Sequence, residues 1–273
     1  MSNSRGTARR QRFLPAALVL FGGVAFAAPA AAQLTVTPSE IVLVPGVTPA
    51  ASFSVENRGQ GQIQATLYQN DWDRNDDGEN VFYPIGTVVG SCGDRVKVFP
   101  QTVQVEPGAK QSIRVSTEGA TFPSPCWTIV FVENAPRPAR GPSRIVYVMR
   151  IGVKVYVLPP NLPKDAEVTG FQMEHRRQTA AGATVDTTQE EFALRVHNSG
   201  GVPLHFEGRV EIRDLANNVV ATQKVEDFPV LPGAQRRVGI PIPVLRPGSY
   251  VALAVLGYGG EDDLAAQLAL DIR

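Results

Sequence analysis

The chain has 273 residues, 43% of them hydrophobic and 19% charged, with 26 basic against 26 acidic side chains and two cysteines. The first 32 residues hold four arginines and no acid, which leaves 22 basic against 26 acidic residues, a net charge of −4, in the remainder. That remainder lacks the basic excess that nucleic-acid binding requires, and no apolar run in it approaches the ~20 residues of a membrane-spanning helix.

Residues 1–32 have the layout of a cleavable secretory signal. Arg5, Arg9, Arg10 and Arg12 precede an apolar run from Phe13 to Ala28, and Ala30-Ala31-Ala32 stands before Gln33. The segment is predicted to be absent from the mature protein, whose remaining length suits two domains. In an exported compartment thiols are oxidised, so Cys92 and Cys126 are read as one disulfide. The loop it closes is worth roughly 3–4 kcal/mol in the chain-entropy model. No CxxC spacing points to a redox motif or a zinc site.

Short apolar-alternating runs follow one another with turn signals between them: Leu34 to Val44, Ala51 to Asn57, Ile63 to Trp72, Val96 to Val105, Ser112 to Thr117 and Trp127 to Glu133. Alternation of period two without an amphipathic helix predicts an all-β sandwich. Asp73-Arg74-Asn75-Asp76-Asp77-Gly78 matches the opening of a calcium loop, but the twelfth position is Pro84 rather than a bidentate Glu, so the segment reads as a solvated turn.

The stretch from Ser143 to Pro160 reads as one long strand with two unlike faces. Its odd positions, Ile145, Tyr147, Met149, Ile151, Val153, Val155 and Val157, are all apolar, and its even positions include Arg150, Gly152 and Lys154. A strand this long exceeds what its own sheet needs, and its spare apolar row is predicted to be offered to a partner. Pro159, Pro160 and Pro163 then remove ladder donors and stiffen the backbone, which marks Leu158–Lys164 as a linker. The expected organisation is a signal peptide (1–32), a first immunoglobulin-like sandwich (33–160) and a second one (161–273).

In the second half, strands are expected at Val168 to Met173, Glu191 to His197, Leu204 to Arg213, Asn218 to Val225, Gln235 to Ile240, Ser249 to Gly257 and Leu264 to Ile272. Asp214 to Asn218 and Leu231-Pro232-Gly233 are its turn signals. His175, His197 and His205 have no nucleophile at a recognisable spacing, and no phosphate loop, nucleophile elbow or metalloprotease helix occurs. The reading is a protein that is not an enzyme and carries no metal or other cofactor.

The first half resembles the amino-terminal domain of the PapD-like periplasmic chaperones of the chaperone/usher system, across residues 34–160. The resemblance rests on Pro38 with the strand from Glu40 to Pro45, Phe53-Ser54-Val55-Glu56-Asn57, Val105-Glu106-Pro107-Gly108 leading into Ser112 to Val115, and Trp127 to Glu133. Above all it rests on Met149-Arg150-Ile151-Gly152-Val153-Lys154-Val155-Tyr156-Val157-Leu158-Pro159. It implies a periplasmic chaperone whose partners are pilus or fimbrial subunits and an outer-membrane usher. The subunit is bound through a lent strand carrying Ile145, Tyr147 and Met149. Lys154 then receives the subunit's terminal carboxylate, with Arg150 as a second contact. The chain departs from the family on the first strand, where Glu40 is the one charge at a place that classical members give to an Arg. The alternative reading is a two-domain structural or adhesive surface protein.

Overall fold

The computed structural model describes residues 34–119, 121–134, 148–180 and 183–272, with the side chains of 176–180 and 183–189 left out. The expected signal peptide and two residues of the expected lent strand, Ile145 and Tyr147, lie outside the described residues. Among those described there is no α-helix, and no helix is long and apolar enough to cross a membrane.

Ten strands build the first half: β1 (Leu34–Thr37), β2 (Glu40–Leu43), β3 (Ala50–Asn57), β4 (Ile63–Arg74), β5 (Asn80–Tyr83), β6 (Val96–Phe99), β7 (Thr102–Val105), β8 (Lys110–Thr117), β9 (Cys126–Asn134) and β10 (Arg150–Val157). One sheet has the order β1-β3-β8-β6 and faces a second of order β2-β10-β9-β4-β5, in which β7 also pairs with β4. The period-two pattern sets what lies between them. Phe53, Val55, Ile113, Val115, Val130, Val132, Val153, Val155 and Val157 turn inward and are almost wholly buried.

Two runs that the alternation reads as single strands are each split by a proline. Pro38 separates β1, which pairs with β3, from β2, which pairs with β10 in the other sheet. Pro100 separates β6 from β7 in the same way. Proline has no N–H to give to a ladder, so a strand changes sheets there at little cost. The expected disulfide is present: Cys92 is bonded to Cys126, the first residue of β9, with a Cα separation of 5.0 Å. Buried Asp71 holds the same loop by accepting from the Thr87 N–H at 2.8 Å and the Ser91 hydroxyl at 2.6 Å.

Residues 158–165 carry no strand. Beyond them come β11 (Ala166–Ala180), β12 (Ala183–Asn198), β13 (Leu204–Asp214), β14 (Val219–Val230), β15 (Gln235–Pro241), β16 (Gly248–Gly257) and β17 (Leu264–Ile272). They form sheets of order β11-β12-β15 and β14-β13-β16-β17. Phe192, Leu194 and Val196 meet Phe206, Val210, Ile212, Ala252, Ala254 and Leu256 across the core. The architecture is therefore two β-sandwiches. Strands β11 and β12 extend well past the runs expected from the sequence, because backbone pairing carries the hairpin through residues with no apolar alternation to announce it.

Both sandwiches close on the same device. Asn57, at the end of β3, donates from Nδ2 to the carbonyls of Gly61 (2.8 Å) and Val105 (2.9 Å) and accepts from the Gly59 N–H (2.9 Å). Asn198, at the end of β12, donates to Val202 (2.8 Å) and Val230 (2.9 Å) and accepts from Gly200 (3.0 Å). Each also bonds by its backbone to a turn with a glycine at positive φ: Gly108 gives its N–H to the Asn57 carbonyl, and Gly233 does so to Asn198, both at 2.8 Å.

Candidate functional site

The ladder bonds of β10 divide its residues by direction. The Asn134 N–H donates to the Met149 carbonyl at 3.1 Å, so odd-numbered residues exchange bonds with β9. The Lys154 N–H donates to the Ser39 carbonyl at 2.9 Å, so even-numbered residues turn to the β2 side. There β2 reaches no further than Lys154 to Val157, because the chain leaves for the other sheet at Pro38. Among the described residues, no strand pairs with Arg150 to Val153 on that side. The backbone N–H and C=O groups of Arg150 and Gly152 therefore line an open sheet edge.

Side chains of β10 alternate between core and outer face. Val153, Val155 and Val157 are fully buried, and Met149 is half-buried against the same core, with its N–H donating to Asn134 Oδ1 at 2.5 Å. Arg150, Gly152, Lys154 and Tyr156 share the outer face. There Arg150 lies over the Phe131 ring, 4.5 Å from its centre, and reaches the Tyr68 hydroxyl at 3.4 Å. Tyr68 in turn donates to Glu133 at 2.7 Å. The Tyr68 bond holds Arg150 even more firmly cationic than usual, and burial pushes the Tyr68 hydroxyl up.

Lys154 does not stand free for a ligand. The parallel register sets it opposite Glu40, whose Oε1 lies 2.9 Å from Nζ, and its side chain is only 17% exposed. The ammonium is also 5.1 Å from the centre of the Trp72 ring. An incoming carboxylate would have to share it with Glu40, and separating a partly buried pair costs more than an exposed one. Arg150 and Lys154 thus lie on one face, each with its own partner.

This outer face runs under the second sandwich. Trp72, Trp127, Ile129, Phe131 and Tyr156 form a cluster with Leu231, and Ala234 packs against it, both from the turn between β14 and β15. Trp72 meets Tyr156 edge-on at 6.1 Å, and Trp127 Nε1 donates to the Trp72 carbonyl at 2.9 Å. Burial, with the Glu40 charge beside it, pushes the Tyr156 phenol well up. The turn between β4 and β5 completes the junction, where the Arg237 N–H donates to the Asp76 carbonyl at 2.9 Å. That turn holds the segment that resembled a calcium loop, and no group of three or more metal-ligating residues occurs among those described.

Trp72, Tyr156 and Leu231 were not singled out by the sequence pattern. Each ends or adjoins an apolar run, and nothing local distinguishes a residue that faces a second domain from one that faces its own core.

No family model and no curated protein matches the sequence. Among solved structures, the chain is similar to the YadV chaperone at 11% identity and a TM-score of 0.50, covering 88% of this chain and 100% of that one. It is similar to the class 5 fimbriae chaperone CfaA at 13% identity and a TM-score of 0.50, covering 86% of this chain and 98% of that one. The two sandwiches in series thus have the fold of the PapD-like pilus chaperones, as the first half's motifs led one to expect.

Proposed function

We propose that this protein is a periplasmic chaperone that binds pilus or fimbrial subunits by lending them a β-strand and delivers them to an outer-membrane usher, with no chemical step of its own. The observation that supports this most directly is the open edge at Arg150 to Val153. It belongs to a strand anchored on both sides at its other end and unpaired where β2 stops. An edge of this kind is a template for β-augmentation, in which main-chain bonds supply affinity and alternate side chains supply register. The odd row of β10 faces the core, and Met149 sits at the end of that row. We assign Ile145, Tyr147 and Met149 as the lent residues. Lys154, shared with Glu40, and Arg150 are assigned as the contacts for the subunit's terminal carboxylate.

The test separates main-chain from side-chain binding at one position. Arg150→Ala removes the guanidinium and keeps the N–H on the open edge. Arg150→Pro removes both, and it leaves the β9 ladder intact because the odd residues carry that ladder. Co-purification of a subunit with each folded variant should show a further loss of about tenfold for the proline beyond the alanine, the cost of an acceptor left unpaired on the subunit. Equal retention by the two variants would show that the edge is not used.

A further inference from the structure

Arg236 and Arg237 are consecutive on β15, on opposite faces, and their surroundings could hardly differ more. Arg237 is held by Glu174 at 2.9 Å and also pairs with Glu191. Arg236 has no ion pair among the described residues. Its NH1 donates to the Pro229 carbonyl at 3.0 Å, its guanidinium lies 5.2 Å from the centre of the Phe228 ring, and the rest of it lies flat on Gly78, where an added Cβ would fall 2.3 Å from Cζ. Arg74, from the first sandwich, comes to the same turn: its NH1 donates to the Gly78 carbonyl at 2.8 Å, and its Cζ is 5.7 Å from the centre of the Trp72 ring. Arg74 likewise has no ion pair among the described residues.

Two guanidiniums from different sandwiches therefore meet on one hairpin turn with no carboxylate between them. Asp76 and Asp77 in that turn are exposed and pair with neither, and Asp227, whose charge favours the cationic Arg236, is engaged by His205 at 3.0 Å. Burial and the Arg74 charge together push the Arg236 guanidinium down. Three buried N–H donors at this junction, Trp72 Nε1, Arg74 Nε and Arg236 Nε, have no acceptor. All three are donors, and buried donors without acceptors are costly, so the junction is short of an acceptor and of negative charge.

We infer that Arg74 and Arg236 form a binding site for a small oxyanion, a carboxylate or a phosphate, that bridges the two sandwiches. A guanidinium fork suits either anion, and Arg is the residue that grips them in two-point fashion. The inference does not depend on the chaperone reading. The anion has two possible sources: a free ion from solution, or the terminal carboxylate of a polypeptide laid along the junction.

Thermal unfolding of the full chain in inorganic phosphate or acetate, against chloride at matched ionic strength, tests it. An anion at tenfold excess over its dissociation constant should raise the midpoint by about 3–5 °C, and Arg74→Gln and Arg236→Gln should each abolish the rise. In chloride each variant gains relief from a repelled charge but loses its bond to the Gly78 or Pro229 carbonyl, so the readout is the anion-dependent rise measured from each variant's own chloride midpoint. Arg74→Lys, which keeps the charge, should retain part of the rise. A short peptide with a free carboxyl terminus, compared with its amidated form, separates the sources: a rise with the free acid alone identifies a polypeptide terminus, and a rise with phosphate or acetate alone identifies a free ion. A shift that chloride reproduces, or that survives in both glutamine variants, would overturn the inference while leaving the strand edge of β10 untouched.

Discussion

Replacing Asn57 by Ala should be among the most damaging single changes available to the first sandwich. The side chain is fully buried and makes three hydrogen bonds, two as donor and one as acceptor. Truncation orphans the Val105 carbonyl in the interior, at about 1–3 kcal/mol, and two partly buried groups at Gly59 and Gly61 at about 0.5–1 kcal/mol each, for a total near 3–4 kcal/mol. With a urea slope of about 1.5–2 kcal/mol per molar for a unit of this size, the midpoint should fall by about 2 M. Both tryptophans, Trp72 and Trp127, belong to the first sandwich and face its junction with the second, so their fluorescence reports that unit together with its contact, and circular dichroism reports both sandwiches. Asn57→Asp should be no milder, because a carboxylate would then face the carbonyls of Gly61 and Val105. Asn198→Ala should cost the second sandwich a similar amount, visible by dichroism. A loss below about 1 kcal/mol for Asn57→Ala, or native stability for Asn57→Asp, would refute the reasoning.

Replacing Cys92 and Cys126 together by Ser should lower stability by about 3–4 kcal/mol, given a separation of 34 residues, and intact mass after alkylation should change only when reductant is present. Glu174, held by Arg195 first, then Gln172 and Arg237, has its carboxyl lowered to about 2. A lowered carboxyl contributes stability that is complete above about pH 4.5 and lost as pH falls towards 2, so Glu174→Gln should flatten the acid limb of the stability profile by about 1–3 kcal/mol, and an unchanged limb would contradict this. Lys154→Ala should weaken subunit binding less than Tyr147→Glu, and its effect should vanish when the subunit's last carboxylate is amidated. An equal effect on amidated and free subunits would remove Lys154 from the carboxylate contact.

What was legible in the sequence was the content of alternation. Val153, Val155 and Val157 announced a buried row, and Phe192, Leu194 and Val196 another, because period two maps directly onto one face of a sheet. Pro38 and Pro100 were visible as residues, yet their effect, a change of sheet, depends on which strands lie alongside. The pairing of Lys154 with Glu40 was hidden for the same reason: it exists only through a parallel register between segments 114 residues apart. Arg74 and Arg236 were unremarkable in sequence, one in a turn and one in a strand, and acquire meaning only because the two sandwiches press them onto the same glycine.

Gly152 lies in the middle of the open edge, and a Cβ there would fall 2.5 Å from Ile129 Cδ1 and 3.3 Å from Phe131 Cε1. Those two side chains lean across the space that a larger residue would occupy. A strand laid against this edge would meet bare backbone at its centre, with the outer face above that backbone already filled by Ile129 and Phe131. On the proposed function, β10 offers no side chain at that point and binds there by main chain alone, so discrimination among subunits falls to the positions on either side.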